Sequence, residues 1–491
     1  MRSRPLVLLA AAAVALTACT ALAACTAAAP ARSGALAVGL PEPGTLLPAD
    51  VDDQSGRLIT GALWTPLADF DPASGRLTPR AAESITSADR VHWTVRLRSG
   101  GRFHDGTPVT AESYVDTWKA VAAENWAATP VLTESLRAKE ISAPDPATIR
   151  IDLDRPSGQV PALLSAPGLV PLPASVLASR DWNGFARHPV GNGPYRLADG
   201  WAPGTGGRLA RVTPEPGRAH EIDLRVGDPV EQYDEVRAGS LDLVTSVPGE
   251  RHEAMHTDFA DRHTTWPLPE AGYLVFPVRA PRFADATLRH AFALAANRQE
   301  LEDGPLAHQV DPAVALLPPA DAPGRRTGTC RPCSFDAPAA KGLLTQAGFT
   351  GPATVYFDTG TGAWTNSLTA GLSKTLGVPV TARPKPSDGP LESPSTMELK
   401  AATPSPAELL TGLAAASGYQ DPGFTQDLAA AESAATPEEA GQLYRVAENQ
   451  LLRDLPVVPL WTGHGHAVWS PRVHEVTATP FAGLDLAGLA M

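Results

Sequence analysis

The chain has 491 residues, with 40 Lys or Arg against 53 Asp or Glu, so its net charge is −13 at neutral pH. This acidic balance argues against a nucleic-acid partner and against an electrostatic membrane-binding patch. The 42 glycines and 49 prolines fall between ordinary periodic segments, which indicates a globular chain rather than a disordered one. Its length exceeds what one hydrophobic core fills, so at least two lobes are expected.

Residues 1–24 have the pattern of a lipoprotein signal peptide. Two arginines precede an apolar stretch that is too short to span a bilayer. Cys25 and Cys19 each follow small residues with an aliphatic residue three positions before, as in a bacterial lipobox, so Cys25 is the predicted lipidation site and Cys19 the alternative. Residues 25–34 would then be a linker, and acyl chains would hold the domain on the extracytoplasmic face of the cell membrane. A signal peptide cleaved elsewhere, without lipidation, is the other interpretation.

A strand, a tight turn and a helix are predicted between residues 93 and 118. Trp93 to Leu97 alternates as a strand does, Asp105-Gly106 favours a turn, and Thr110 is a helix cap. The run Phe-His-Asp-Gly-Thr-Pro-Val-Thr-Ala at residues 103–111 resembles the peptide/nickel family of solute-binding proteins that serve ABC transporters.

Seven further segments resemble the pattern of that family in the same order. They are residues 36–48, 65–84, 189–195, 238–243, 283–298, 336–348 and 448–460. Each alone is typical of an ordinary turn or amphipathic helix, but together they make the resemblance strong. It implies a monomeric receptor, not an enzyme and without a cofactor, that captures a peptide or related solute and presents it to ABC permease subunits.

The resemblance also implies an α/β fold, a two-lobe periplasmic-binding-protein clamp of type II (cluster C) with an extra subdomain in its first lobe. The implied segments are lobe I at 35–268 with the subdomain at about 60–185, lobe II at 269–454, and a C-terminal return to lobe I at 455–491. Pro267-Leu268-Pro269 and residues 455–460 are stiff, proline-bounded stretches of the kind that crossovers at a hinge need.

The solute site departs from the family pattern. Peptide-binding members carry an aspartate three residues before an Asp-Pro pair, and it pairs with the peptide's α-amino group; counted from Asp421-Pro422, that position is Gly418. A buried ammonium without a carboxylate is costly, so ordinary peptide binding is unexpected unless Asp52 or Asp53 substitutes. An oligosaccharide or a metal chelate is the alternative solute. The predicted ligand-binding residues are Asp52, Trp64, Ser417, Gly418, Tyr419, Asp421 and Trp461, although core packing is the other interpretation of each aromatic residue.

Two cysteines remain beyond the N-terminal region. Cys330 and Cys333 are spaced as Cys-x-x-Cys, but no second cysteine pair and no thioredoxin-like surroundings accompany them. In an exported protein a local disulfide is expected.

The strongest competing motif is His252-Glu253-Ala254-Met255-His256, which fits the H-E-x-x-H pattern of zinc proteases. The continuation that would supply a third ligand is missing, because Phe259 and Arg262 occupy the required positions. No phosphate-binding loop and no nucleophile elbow occur in the sequence. The receptor is therefore the favoured interpretation, with a zinc protease, or incidental metal binding by His252 and His256, as weak alternatives.

Overall fold

The computed structural model describes residues 35–71, 74–320, 326, 328–389 and 391–491. The predicted signal peptide (1–24), the linker (25–34) and both candidate lipidation sites, Cys19 and Cys25, lie outside the described residues. Within the described ranges, no helix is both long enough and apolar enough to cross a membrane.

The described chain contains both helices and strands throughout its length. The helices are α1 (Gln54–Leu63), α2 (Ala111–Glu124), α3 (Val160–Leu163), α4 (Ala174–Ser179), α5 (Trp182–Arg187), α6 (Pro229–Ala238), α7 (His252–Asp258), α8 (Ala286–Ala295), α9 (Arg298–Asp303), α10 (Ala337–Gln346), α11 (Gly362–Leu376), α12 (Pro406–Ser417), α13 (Pro422–Glu432) and α14 (Pro437–Asp454). The strands are β1 (Ala35–Leu40), β2 (Ala68–Asp71), β3 (Arg76–Pro79), β4 (Ala82–Ser87), β5 (His92–Leu97), β6 (Ala138–Asp145), β7 (Thr148–Leu153), β8 (Tyr195–Leu197), β9 (Gly206–Arg211), β10 (Glu221–Val226), β11 (Leu243–Val244), β12 (His263–Val275), β13 (Val310–Pro312), β14 (Ala353–Phe357), β15 (Val380–Pro384), β16 (Ser395–Lys400), β17 (Val457–Trp469), β18 (Ala478–Thr479) and β19 (Gly483–Leu484).

One mixed sheet runs through the molecule in the order β15-β14-β16-β12-β17-β11-β1-β10-β9-β8, with β13 added beside β17. A second sheet, β4-β5-β7-β6, belongs to the first part of the chain and carries α2 on one side. Parallel and antiparallel pairs both occur, and helices cover the sheets. The predicted α/β fold is confirmed.

Strands β12 and β17 join two separate hydrophobic cores. They pair antiparallel along their length, with an irregularity in register between Pro267 and Ala271. Trp266 and Ala467 belong to the core built from the first part of the chain, whereas Leu274 and Leu460 belong to a core of the second part. Each long strand therefore passes from one lobe to the other, which is the arrangement that a hinge between lobes requires.

The residues at 103–111 stabilise the first lobe rather than a ligand site. Thr110 caps α2, and the turn before it places His104 against the segment around residue 191. The His104 ring lies 3.0 Å from the carbonyl oxygen of Gly193, and burial lowers the pKa of His104. The predicted strand, turn and capped helix are confirmed here, and they connect two of the segments that resemble the family.

Cys330 and Cys333 are joined by a disulfide, with their Cα atoms 5.1 Å apart. Both are buried against the second lobe. The guanidinium of Arg298, at the start of α9, donates a hydrogen bond of 3.0 Å to the carbonyl oxygen of Pro332 between them. The small disulfide loop is thus attached to the helix that precedes β13.

Candidate functional site

A cleft of about 140 Å³ lies between the beginning of α1 and the loop that follows β16. The first lobe contributes Asp52 and Arg57 together with loops near residues 128 and 167, and the second lobe contributes residues 400–402. Phe481, from the C-terminal segment, completes the lining. Because groups from both lobes face it, the cleft changes shape when the lobes move about β12 and β17.

Arg57 is the main positive group in this cleft. Asp53 caps α1 by accepting a hydrogen bond of 2.8 Å from the amide of Gly56, and this places Arg57 on the first turn of the helix facing the cleft. In the described part of the chain, the Arg57 side chain makes no hydrogen bond or ion pair. Burial lowers its pKa, and the nearest acids, Glu270 first, oppose that change. A half-buried guanidinium with free donors is suited to a carboxylate on a ligand.

Two carboxylates hold the loop on the opposite wall. Glu408 accepts hydrogen bonds from the amides of Ala402 (2.9 Å) and Thr403 (3.1 Å) and from the Thr403 hydroxyl. Glu270 lies 3.8 Å from the ammonium of Lys400. Burial raises the pKa of both glutamates. Glu408 of α12 therefore holds the loop, and Glu270 of β12 lies beside Lys400 at its start. The small side chain of Ala402 leaves room for a solute.

The predicted loop at residues 417–421 does not line this cleft, and its contact with a solute stays a prediction. Ser417 donates to the carbonyl oxygen of Leu413 within α12, and Gly418 ends that helix with a φ of 68°. Tyr419 donates a hydrogen bond of 2.6 Å to Asp454, and Asp421 caps α13. All four residues lie at the far end of α12, whereas the cleft loop precedes its first residue.

The sequence offers two positions for the loop that the family pattern describes. Asp421-Pro422 opens α13, but Ser405-Pro406 opens α12 in the same way, directly after β16 and the cleft loop. The loop that lines the cleft has a recognisable pattern: a strand, a short loop, and a helix that opens with proline. Here Ser405 stands where the family pattern has aspartate.

The two predicted tryptophans are packed in the cores, which is the other interpretation that the sequence allowed for them. The indole of Trp64 donates to the carbonyl oxygen of Pro171 at 3.0 Å and meets Phe185 edge to face. Trp461 is 5% exposed and packs edge to face against Trp364. Of the seven predicted residues, Asp52 is the one that lines the cleft; its contact with a solute stays a prediction.

Arg57, Lys400 and Phe481 were not predicted from the sequence. Arg57 is the single charged residue of α1, and Lys400 ends an alternating strand just before two alanines. An isolated charge on an otherwise apolar element was therefore the available signal for the first two. Phe481 lies between β18 and β19, where the sequence gives no comparable sign.

The H-E-x-x-H segment does form a helix, α7, but its two histidines have different partners. His256 Nδ1 lies 2.9 Å from Nε2 of His263, and the Glu253 side chain is exposed. His252 instead lies beside His464 and His466 of β17. The rings of His252 and His256 lie 5.7 Å apart, but the described residues bring no third histidine, cysteine or carboxylate to this pair, so the three-ligand site of a zinc protease is not formed.

The fold and the cleft define a two-lobe clamp, and comparison with known proteins gives its family. The model for the middle part of bacterial extracellular solute-binding proteins, family 5, matches residues 76–380. The chain belongs to this family of bacterial extracellular solute-binding proteins. The predicted resemblance is confirmed, and its relatives are solute-binding proteins rather than enzymes.

Similar proteins differ in the solutes that their names give. The chain is 28% identical over 337 residues to the probable deoxycholate-binding periplasmic protein YgiS of Escherichia coli K12, covering 63% of this chain and 62% of that one. It is 26% identical over 322 residues to the glutathione-binding protein GsiB of the same strain, covering 62% and 59%. The matches thus span about three fifths of the length of these curated relatives.

Among solved structures, DppA from Helicobacter pylori in complex with the peptide STSA has a TM-score of 0.74 at 19% identity, covering 93% of this chain and 98% of that chain. The similarity shows that the two-lobe fold extends over nearly the whole described chain.

Proposed function

We propose that this protein is an extracytoplasmic solute-binding lipoprotein, anchored to the cell membrane, that captures a peptide or peptide-like solute and delivers it to an ABC importer. Family membership and the two-lobe fold support the receptor role, and the crossing strands β12 and β17 supply the hinge. The solute binds in the cleft between α1 and residues 400–402, and closure of the lobes presents the loaded form to the permease subunits.

The observation that carries the proposal is Arg57. Its free guanidinium faces a cleft that both lobes line. Deoxycholate, glutathione and the peptide STSA, which name the solutes of the similar proteins, all contain a carboxylate. We therefore infer that the solute of this protein is an organic anion whose carboxylate pairs with Arg57.

The amino end of a peptide has no obvious partner on the opposite wall. Counting three residues back from Ser405, as the family pattern counts back from its Asp-Pro pair, gives Ala402. We therefore infer that Ala402, rather than Gly418, is the position where this chain lacks the carboxylate of the peptide-binding members. Asp52 is exposed at the cleft and is the acid left for such a role. We infer that simple di- and tripeptides bind weakly, and that solutes with a blocked or absent amine bind better.

A non-peptide solute is the second candidate, and the small residues Ala401 and Ala402 favour it. They leave space and no charge where a peptide receptor needs a carboxylate. An oligosaccharide acid, a steroid acid or a metal chelate meets Arg57 in the same way as a peptide terminus does.

Mass spectrometry of solute released from protein purified without refolding identifies the natural ligand. Matched pairs of compounds then test the site: a carboxylate and its amide, and a free amine and its acetylated form. Arg57→Gln should weaken binding of the carboxylate at least tenfold, because a hydrogen bond to a charged group is worth about 1.5–3 kcal/mol, and leave the amide unaffected. Arg150→Gln, an exposed arginine on β7, is the control.

Equal affinity of Arg57→Gln and the wild type for the carboxylate would remove the basis of the proposed site. Micromolar binding of free dipeptides that acetylation abolishes would show that Asp52 or another acid takes the ammonium. Loss of solute uptake in a strain lacking the protein, restored by the wild-type gene, tests delivery to the importer.

A further inference from the structure

Half of the chain's twelve histidines meet in one place beside the hinge strands. The group consists of His252, His256, His263, His308, His464 and His466. Ring centroids of neighbouring members lie 4.4–5.7 Å apart. This cluster lies outside the solute cleft and plays no part in the proposed capture of solute.

Three of these histidines converge on a common point. Ring nitrogens of His252, His464 and His466 lie within 4.8 Å of one another. His464 and His466 are two apart on β17, so their side chains share one face of the strand. His252 reaches them as the first residue of α7. A helix and a strand that are far apart in sequence thus supply one set of imidazoles.

Two of the ring nitrogens are buried and lack a partner. His466 Nε2 and His252 Nδ1 make no hydrogen bond with any described group, and Glu253, at 3.8 Å from His252 Nδ1, is too distant for one. A buried nitrogen without a hydrogen bond costs free energy. Coordination of an ion would give both nitrogens a partner.

His464 is oriented as a metal ligand would be. Its Nε2 lies 3.1 Å from the carbonyl oxygen of His308, to which it donates its proton. Metal-bound histidines commonly donate their second N–H to a backbone carbonyl. Its Nδ1 lies 3.3 Å from the carboxylate of Asp311. A carboxylate beside this nitrogen favours a bound cation there, whether a proton or a metal ion.

We propose that His252, His464 and His466 bind one divalent transition-metal ion, such as Zn²⁺ or Ni²⁺. Imidazole nitrogens suit these ions, and three protein ligands leave a further coordination position open. His464 and His466 also line a cavity of about 230 Å³ with Asp53 and Gln54 at the start of α1. The open position therefore faces a space that water or a donor group of a small molecule can enter.

The test uses full-length mature protein without a polyhistidine tag, stripped with a chelator. Titration with Zn²⁺ and Ni²⁺ by calorimetry should give one ion per chain, and Co²⁺ should give the visible absorption of a nitrogen-ligated tetrahedral site. His252→Gln and His464→Gln should each weaken binding tenfold or more and abolish the Co²⁺ band. His220→Gln, a change at an exposed histidine, should behave as the wild type.

Variants must retain their fold for this comparison, so melting temperatures are measured in chelator. The half-buried His252 is the safer change, since the His466 side chain is almost fully buried. His256→Gln separates this site from the neighbouring pair of His256 and His263. Wild-type affinity in both His252→Gln and His464→Gln, or binding lost in His256→Gln alone, would overturn the proposal, as would no binding at micromolar metal.

Discussion

Replacing Arg298 tests how much its side chain contributes to the stability of the second lobe and of the strand β17. Its side chain is 4% exposed and donates hydrogen bonds to three carbonyl oxygens, those of Pro459 (2.8 Å), Ala296 (3.2 Å) and Pro332 (3.0 Å). Pro459 lies in β17 itself. Burial lowers the pKa of Arg298 to about 10, with no carboxylate contributing. Arg298→Met keeps most of the apolar stem and removes all three donors.

The magnitude follows from two opposing effects. Three hydrogen bonds from a charged donor contribute about 1.5–3 kcal/mol each. Removing the buried cation relieves a cost of about 3 kcal/mol, from a pKa shift of about 2.5 at 1.36 kcal/mol per unit. The net loss of unfolding free energy in Arg298→Met should therefore be about 1–6 kcal/mol. At about 2–4 °C per kcal/mol for domains of this size, the melting temperature should fall by at least about 2 °C.

Differential scanning calorimetry of the wild type and Arg298→Met measures this change, with Arg150→Met on the exposed face of β7 as the control. Arg298→Lys should be intermediate, since it keeps the charge but cannot reach three carbonyls with one ammonium. A shift below 1 °C in Arg298→Met would refute the reasoning, because it would mean that the carbonyls lose nothing when their donor is removed.

Two further predictions follow from the structure and a third from the sequence. Gly191→Ala should lower the melting temperature by several degrees, because its Cβ would overlap the carbonyl oxygen at the end of α1, whereas Gly61→Ala meets open space and should be neutral or slightly stabilising. Burial raises the pKa of Glu270, so the wild type should lose stability relative to Glu270→Gln as pH rises above about 4.5 and through the raised pKa, as measured by urea unfolding at several pH values. Cys25→Ser should abolish labelling by a radioactive fatty acid; if Cys19→Ser alone does so, the assigned lipidation site is wrong.

The scaffold could be predicted because its signals are local. The strand at Trp93 and the cap at Thr110 depend on residues that are adjacent in sequence, and both have their predicted form. The α/β fold was implied by the family resemblance, which depends on the order of eight segments that are each weak alone.

The solute site could not be predicted in the same way, because it depends on which loops meet across the lobes. Asp421-Pro422 and Ser405-Pro406 both open helices with a proline in the first turn, and the sequence does not show which end of α12 faces α1. Arg57 and Lys400 are more than 300 residues apart, and the sheet order places them in one cleft.

The solute cleft and the histidine site should respond differently to closure of the lobes. The cleft takes its walls from both lobes, so solute binding and closure are linked. In contrast, Met255 of α7 and Val468 of β17 pack in one core cluster, which keeps His252, His464 and His466 in one rigid unit. The metal site is therefore formed before closure, and an ion has little differential affinity for the open and closed states. Because coupling between two ligands is reciprocal, a solute without metal-binding groups should change its Kd less than threefold when Zn²⁺ is added. A larger change, measured by calorimetry with and without Zn²⁺, would show that the histidine site moves with the hinge.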